Sequence, residues 1–262
     1  MDITLDPVSF RVDPQNWSRF WKDVARGGWE PGTFRFFREA ITPETRVIDV
    51  GAWIGPTALY SAQLGASCIA FEPDPVAYAE LERNVAANDG APWMAKLTLR
   101  NEAVAAEAGE LTIGSRSGGG DSTSSALFAD RETAWTVTAR TLPEVLEEAA
   151  PGDAPIFIKI DIEGGEYSLV PALKDVLARP NVTAHISLHP NFLKQSIMAE
   201  QGATEEDEAV REAFASAHER ILDALPEGRN LTAGKALNLL DRHKLMKRAR
   251  RSCVFPKEVH IL

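Results

Sequence analysis

Short apolar runs alternate with amphipathic stretches along this chain. Arg46-Val-Ile-Asp-Val50 reads as a buried strand, and Pro56 to Leu64 as the helix after it. Cys68-Ile-Ala-Phe-Glu72 gives a second strand, and Pro75 to Asn88 a helix with Asp74 at its N-cap and proline at its first position. Lys96 to Asn101 alternates as a third strand. Leu111-Thr-Ile113 and Thr136 to Arg140 carry further β character, and Leu142 to Ala149 reads as a helix. Pro155-Ile-Phe-Ile-Lys-Ile-Asp-Ile162 is the most apolar run, which predicts a central position in the sheet. Glu166 to Leu177 follows as a helix and Val182 to His189 as a fifth main strand. Strands alternating with helices predict an α/β fold with a Rossmann-like, doubly wound, mostly parallel sheet.

The flanks read differently. Residues 1–45 carry Trp17, Phe20, Trp21, Trp29, Phe34, Phe36 and Phe37, and are expected to form a helical layer packed on a core of residues 46–262. The other reading of this segment is a lid over a pocket, with Glu30 near the ligand. Residues 190–250 read as an α-rich insertion, with Thr204 capping the acidic start Glu205-Glu-Asp-Glu208. Arg242, Lys244, Lys247, Arg248, Arg250 and Arg251 form a basic run, expected to be a solvated helix face paired with nearby acids. Residues 252–255 and 259–262 are expected to close the sheet. Gly114 to Ser125 reads as a loop, either a plain connection or the rim of a site.

Two stretches carry chemistry. In the first, Asp49-Val-Gly51-Ala52-Trp53-Ile-Gly55 joins a strand to a helix, the arrangement that holds nucleotide-containing ligands at the edge of a parallel sheet. Glycines there let the backbone approach a ligand. A dinucleotide site is spelled Gly-x-Gly-x-x-Gly, whereas these glycines are spaced Gly-x-x-x-Gly with Asp49 just before them. A carboxylate repels a pyrophosphate and suits an ammonium group, as in S-adenosylmethionine. Glu72 stands 21 residues after Gly51, close to the offset at which an acid meets a ribose diol.

The second stretch is Lys159-Ile-Asp161-Ile-Glu163-Gly-Gly-Glu166. Strand alternation puts Lys159, Asp161 and Glu163 on one face, and charges on a central strand belong at its open end unless they are paired. Asp161 is therefore the candidate to orient a substrate hydroxyl, act as a base or bind a metal. Lys159 is expected to make a structural ion pair with Glu163 or Glu166. His185, Ser187 and His189 share a face of the next strand, with His189 at its end as the candidate base. Asp161 and His189 together could ligate Mg²⁺ or another divalent ion.

Composition narrows the partners. The 262-residue chain has ordinary globular proportions and a formal net charge of −10, which supplies no overall attraction to nucleic acid. Two distant cysteines, Cys68 and Cys253, argue against a disulfide framework or a zinc site. Neither a signal peptide nor an apolar run of about 18 residues is visible, so a cytoplasmic location is expected.

On Val47 to Gly55, Phe71-Glu-Pro-Asp-Pro75, Asn84 to Asn88, Thr141-Leu-Pro-Glu-Val-Leu146 and above all Lys159 to Glu166, the chain resembles the FkbM family of S-adenosylmethionine-dependent methyltransferases. The resemblance covers about residues 30–190. The family pattern has Asn where this chain has Trp53, and an acid where it has Leu188. The resemblance implies a class I methyltransferase that methylates a hydroxyl oxygen on a small molecule, sugar or natural-product intermediate. It also implies that Asp49, Gly51 and Gly55, with Ala52 and Trp53 between them, hold the methionine part, Glu72 the ribose, and Asn101 and Glu102 lie near the adenine. The rival readings are an NAD-dependent oxidoreductase and a non-catalytic cofactor-binding protein of the same fold.

Overall fold

The computed structural model describes residues 1–115, 119–120, 133–149, 152–227, 229 and 242–262, with the backbone alone at 231–233 and 235–236. It opens on an antiparallel hairpin of β1 (Asp2–Leu5) and β2 (Val8–Arg11), followed by α1 (Ser18–Ala25) and α2 (Pro31–Ala40). Thr33, Phe34, Phe36 and Phe37 are buried along α2 at helical spacing. The N-terminal layer is thus part hairpin, where the aromatic spacing predicts helix alone.

The core begins at β3 (Arg46–Val50) and continues through α3 (Pro56–Leu64), β4 (Ser67–Phe71), α4 (Pro75–Ala86) and β5 (Leu97–Arg100). A separate three-stranded sheet follows, with β8 (Ala134–Thr141) between β6 (Ala103–Ala105) and β7 (Gly109–Gly114). Then come α5 (Leu142–Ala149), β9 (Ile156–Ile160), α6 (Glu166–Ala172), α7 (Lys174–Leu177) and β10 (Val182–Ser187). The predicted helix 166–177 is split in two, with Pro171 inside its first half. The chain ends with α8 (Pro190–Gln201), α9 (Glu208–Ala224), the short β11 (Leu231–Ala233) and β12 (Lys235–Ala236), α10 (Arg242–Ser252) and β13 (Glu258–Ile261).

The main sheet runs β12-β11-β13-β10-β9-β3-β4-β5. The five strands from β10 to β5 are parallel, and β13 joins β10 antiparallel. The architecture is mixed α/β with a central, mostly parallel sheet. From β3 the chain steps outward to β4 and β5, then crosses to β9 and outward to β10 on the other side. The strand order therefore reverses between β3 and β9, where a crevice opens at the carboxyl ends. Of the two C-terminal runs expected to close the sheet, β13 does so, and residues 253–255 do not form a strand.

Segment 190–250 is not purely helical, because β11 and β12 extend the sheet within it. Thr204 does not cap α9. The N-cap is Asp207, and its carboxylate accepts hydrogen bonds from the Thr204 N–H at 2.6 Å and hydroxyl at 3.0 Å. The basic run forms α10 and pairs with α9: Arg242 with Asp223, and Arg250 with Glu212 and Glu219 at 3.3 Å each. Among the described residues no helix is long and apolar enough to cross a membrane.

Every residue of β9 is buried, Lys159 included. Parallel pairing of β3 with β9 sets Asp49 beside Lys159, and the ammonium lies 3.1 Å from Asp49 Oδ1. The same ammonium donates a hydrogen bond to the carbonyl of Gly51. The partner of Lys159 is thus Asp49, not Glu163 or Glu166, because those two residues lie past the strand's end. Asp49 is 1% exposed, so cutting the lysine away leaves a buried carboxylate without its counter-charge. We expect Lys159→Met to destabilise the fold by about 3–5 kcal/mol, and a Lys159→Met/Asp49→Asn pair to recover much of that. Urea unfolding measures both; a single-variant loss below about 1 kcal/mol would refute the pairing.

Candidate functional site

A cleft of about 1020 Å³ opens where the strand order reverses. Gly51, Ala52, Trp53, Glu72 and Glu102 line one side of the chemistry, and Asp161, Glu163 and His189 the other. Phe20, Trp29 and Glu30 from the N-terminal layer also line it.

The β3–α3 turn is fixed by backbone hydrogen bonds. The N–H groups of Gly51 and Ala52 both donate to the Phe71 carbonyl at 2.9 Å. Gly51 has φ +81°, and a Cβ there would stand 1.9 Å from the Asp161 carbonyl oxygen. Gly55 has φ +100°, and its Cβ would meet Leu81 at 2.6 Å. Both glycines are therefore required by the packing of the turn on β9 and α4, rather than by a ligand's approach. Trp53, also at positive φ, donates its backbone N–H to Glu72 Oε2 at 2.7 Å.

Glu72 Oε1 accepts the Asp74 N–H at 2.8 Å, so this buried carboxyl ties the turns after β3 and β4 together. Burial pushes its pKa up to about 7, against the pull of the two N–H donors. The Trp53 indole donates to the Gly120 carbonyl at 2.9 Å, and the Gly120 N–H donates to Asp74 Oδ2 at 2.8 Å. Gly120 is thereby anchored at the turn after β3; residues 116–118 and 121–125 of the glycine-rich stretch lie outside the described residues.

Three residues singled out in the sequence stand behind the cleft wall. Asp49 accepts a hydrogen bond from the Thr57 hydroxyl at 2.7 Å, pairs with Lys159 and does not line the cleft. Gly55 is likewise outside the lining. Asn101 donates to the carbonyls of Glu72 at 2.8 Å and Pro73 at 3.2 Å, holding the strand end in place. Glu102 does line the cleft, and its Oε2 is buried with no hydrogen-bond partner among the described residues.

On the other side, His189 caps the end of β10 and meets the turn that follows β9. Its Nε2 is 3.5 Å from Asp161 Oδ1 and 3.3 Å from Glu163 Oε2, and its Nδ1 lies 2.9 Å from Glu166 Oε1. Burial opposes the imidazole's charge. The Glu166 hydrogen bond and the carboxylates of Glu166, Asp161 and Glu163 outweigh it and push the pKa up to about 9. Glu163 is pushed up to about 8, by burial first, with His189 opposing and Asp161 and Glu166 adding.

Glu166 is fully buried and also accepts the N–H groups of Ile162 at 2.9 Å and Gly164 at 2.8 Å. It fixes both His189 and the turn that presents Glu163. The period of two already sets Glu163 on the face of Asp161, whereas the roles of Glu163 beside His189 and of Glu166 beneath it depend on the turn after β9. His185, by contrast, is buried against Phe36, Phe37 and His260, and burial with the neighbouring His260 lowers its pKa to about 3. Burial, then Asp161, raises the Glu30 carboxyl, with Lys159 opposing.

Residues 49–231 match the model of the methyltransferase FkbM domain. That match runs through α8 and α9, so those helices lie within the matched domain. No curated protein matches the chain. Among solved structures, methyltransferase FkbM from Methylobacillus flagellatus KT aligns with a TM-score of 0.47 at 12% identity, over 95% of this chain and 54% of that one. With the family model spanning well over half of its length, the chain belongs to the FkbM methyltransferase family.

Proposed function

We propose that this protein transfers a methyl group from S-adenosylmethionine to a hydroxyl oxygen of a small molecule or sugar. The observation that carries the reading is Glu72, a buried carboxyl that faces the cleft between two turns. Each of its oxygens already accepts one backbone N–H and keeps capacity for a second donor, as the paired hydroxyls of a ribose require. The partnerless Glu102 Oε2 suits the amino group of an adenine. Among the described lining residues the only lysines are Lys159, paired with Asp49, and Lys257, and there is no arginine. That balance speaks against a pyrophosphate and so against an NAD-dependent oxidoreductase.

Bound S-adenosylmethionine supplies the methyl group on a sulfonium. The chain's own task is to hold the acceptor oxygen about 3 Å from that carbon and draw off its proton. Asp161 is our candidate to draw off that proton, with His189, held by Glu166, as its hydrogen-bond partner. Gly51, Ala52 and Trp53 form the wall on the cofactor side, while Asp49 and Gly55 set the shape of that wall from behind. Phe20 and Trp29 beside carboxylates favour a neutral, hydroxylated acceptor with an apolar face over an anionic one. The pairing of α10 with α9 and the net charge both weigh against nucleic acid.

Three outcomes are expected. Glu72→Ala should weaken S-adenosylhomocysteine binding by about 10- to 100-fold in calorimetry, from the loss of hydrogen bonds to a charged acceptor. Unchanged affinity would sink the ribose assignment. The hydroxyl contacts favour the ionised carboxyl, which predominates above its pKa of about 7. Affinity should therefore fall as pH drops from 8 to 6, by up to about tenfold below 7, and Glu72→Gln should flatten that profile. Lastly, Asp161→Ala should keep cofactor binding yet lose about 10²- to 10⁴-fold in methyl transfer across a panel of hydroxylated acceptors. Full turnover in that variant would remove Asp161 from the chemistry.

A further inference from the structure

We infer that Asp161, Glu163 and His189 form a binding site for one hard divalent cation, of the Mg²⁺ or Mn²⁺ class, on the acceptor side of the cleft. What the cation does there rests on the methyltransferase reading; whether it binds does not. One ligand atom from each side chain can be chosen so that all three lie within 4.8 Å of one another. Ligands around an ion held at about 2.1 Å stand roughly 3 Å apart when adjacent and about 4 Å when opposite. The Nε2 separations of 3.3 and 3.5 Å fall in that range.

The hydrogen bonding around these atoms points the same way. Among the described residues His189 Nε2 makes no hydrogen bond; the ring's one such bond is through Nδ1 to Glu166. Among the described residues neither the Asp161 nor the Glu163 carboxylate accepts a hydrogen bond, although their side chains are only 23% and 17% exposed. Lys159 is 3.8 Å from Asp161 and already engaged with Asp49 at 3.1 Å. Two carboxylates and an imidazole nitrogen thus converge on one point. A divalent ion there would take the place of the imidazole proton and satisfy all three groups at once.

The imidazole is also held as a ligand would be. Glu166 is buried, takes two backbone N–H groups from the turn carrying Glu163, and lies against Nδ1. With Nδ1–H donated to Glu166, the Nε2 lone pair is directed at Asp161 and Glu163, which is how a carboxylate outside the ligand set orients a metal-binding histidine. Two carboxylate oxygens with one imidazole nitrogen suit Mg²⁺ or Mn²⁺, which complete their shells with water or substrate oxygen. An ion at this point would take the acceptor oxygen as a further ligand and stabilise the negative charge that develops on it.

Mn²⁺ titration of the whole chain, followed by electron paramagnetic resonance and calorimetry, tests the site. One Mn²⁺ per chain is expected, displaced by excess Mg²⁺ and weakened on the order of tenfold or more in Asp161→Asn and in Glu163→Gln. Glu110→Gln, a cleft carboxylate on β7, should leave it unchanged, and thermal melts should show each variant folded. No saturable Mn²⁺ signal at millimolar concentration, or binding indifferent to both cluster variants, overturns the site. An S-adenosylhomocysteine titration of the same samples separates the two readings. Cofactor binding without Mn²⁺ binding overturns the cation site alone, and Mn²⁺ binding without cofactor binding overturns the methyltransferase reading alone.

Discussion

The buried pair of Lys159 with Asp49 is the constraint on which the cleft depends. It joins the two strands between which the sheet changes direction, and its ammonium also reaches the Gly51 carbonyl. An unpaired charge in that layer would cost several kcal/mol, so the strands stay in this register and the turn keeps its shape. Gly51 then passes so close to the Asp161 carbonyl that no side chain fits. The turn after β3 and the turn after β9 are consequently built against each other across two adjacent strands.

Two buried glutamates extend that arrangement outward in the same physical manner. Glu72 absorbs the N–H groups of Trp53 and Asp74, and Glu166 those of Ile162 and Gly164. Each satisfies backbone donors in a sharp turn and so holds the turn still, at the end of β4 in one case and after β9 in the other. Each also has something left to offer: Glu72 faces the cleft, and Glu166 steadies His189. The walls are thus ordered by groups that do not themselves need to react.

The aromatic N-terminal layer closes the assembly. Phe37 packs edge-on against Phe157 of β9 at 4.7 Å, and Phe34 against Tyr60 of α3 at 4.9 Å. Trp17 and Phe20 meet Trp53 at 4.8 and 4.6 Å, which fixes the one large side chain in the cofactor-type turn. The segment covers the sheet and supplies Phe20, Trp29 and Glu30 to the cleft.

Sequence alone determined the strand and helix order of the core, because each element there is short, strongly apolar and bounded by turn residues. It also singled out the two stretches whose residues line the cleft, because glycines and acids gather there at the ends of apolar strands. It placed Glu72 and His189 correctly at the ends of their strands. Tertiary structure decided which charges meet. Asp49 and Lys159 are 110 positions apart, and only the parallel register of β3 and β9 sets them side by side. The turn after β9, with Glu163 and Gly164 at positive φ, swings Glu163 towards His189 in a way that strand periodicity does not describe. The pattern showed the β character of β7 and β8 but neither β6 nor their pairing as a separate sheet, and it missed the N-terminal hairpin, since short strands are stabilised by partners distant in the chain. Local pattern encodes which face of an element is apolar; long-range register, which pattern does not encode, determines which polar groups share a cleft.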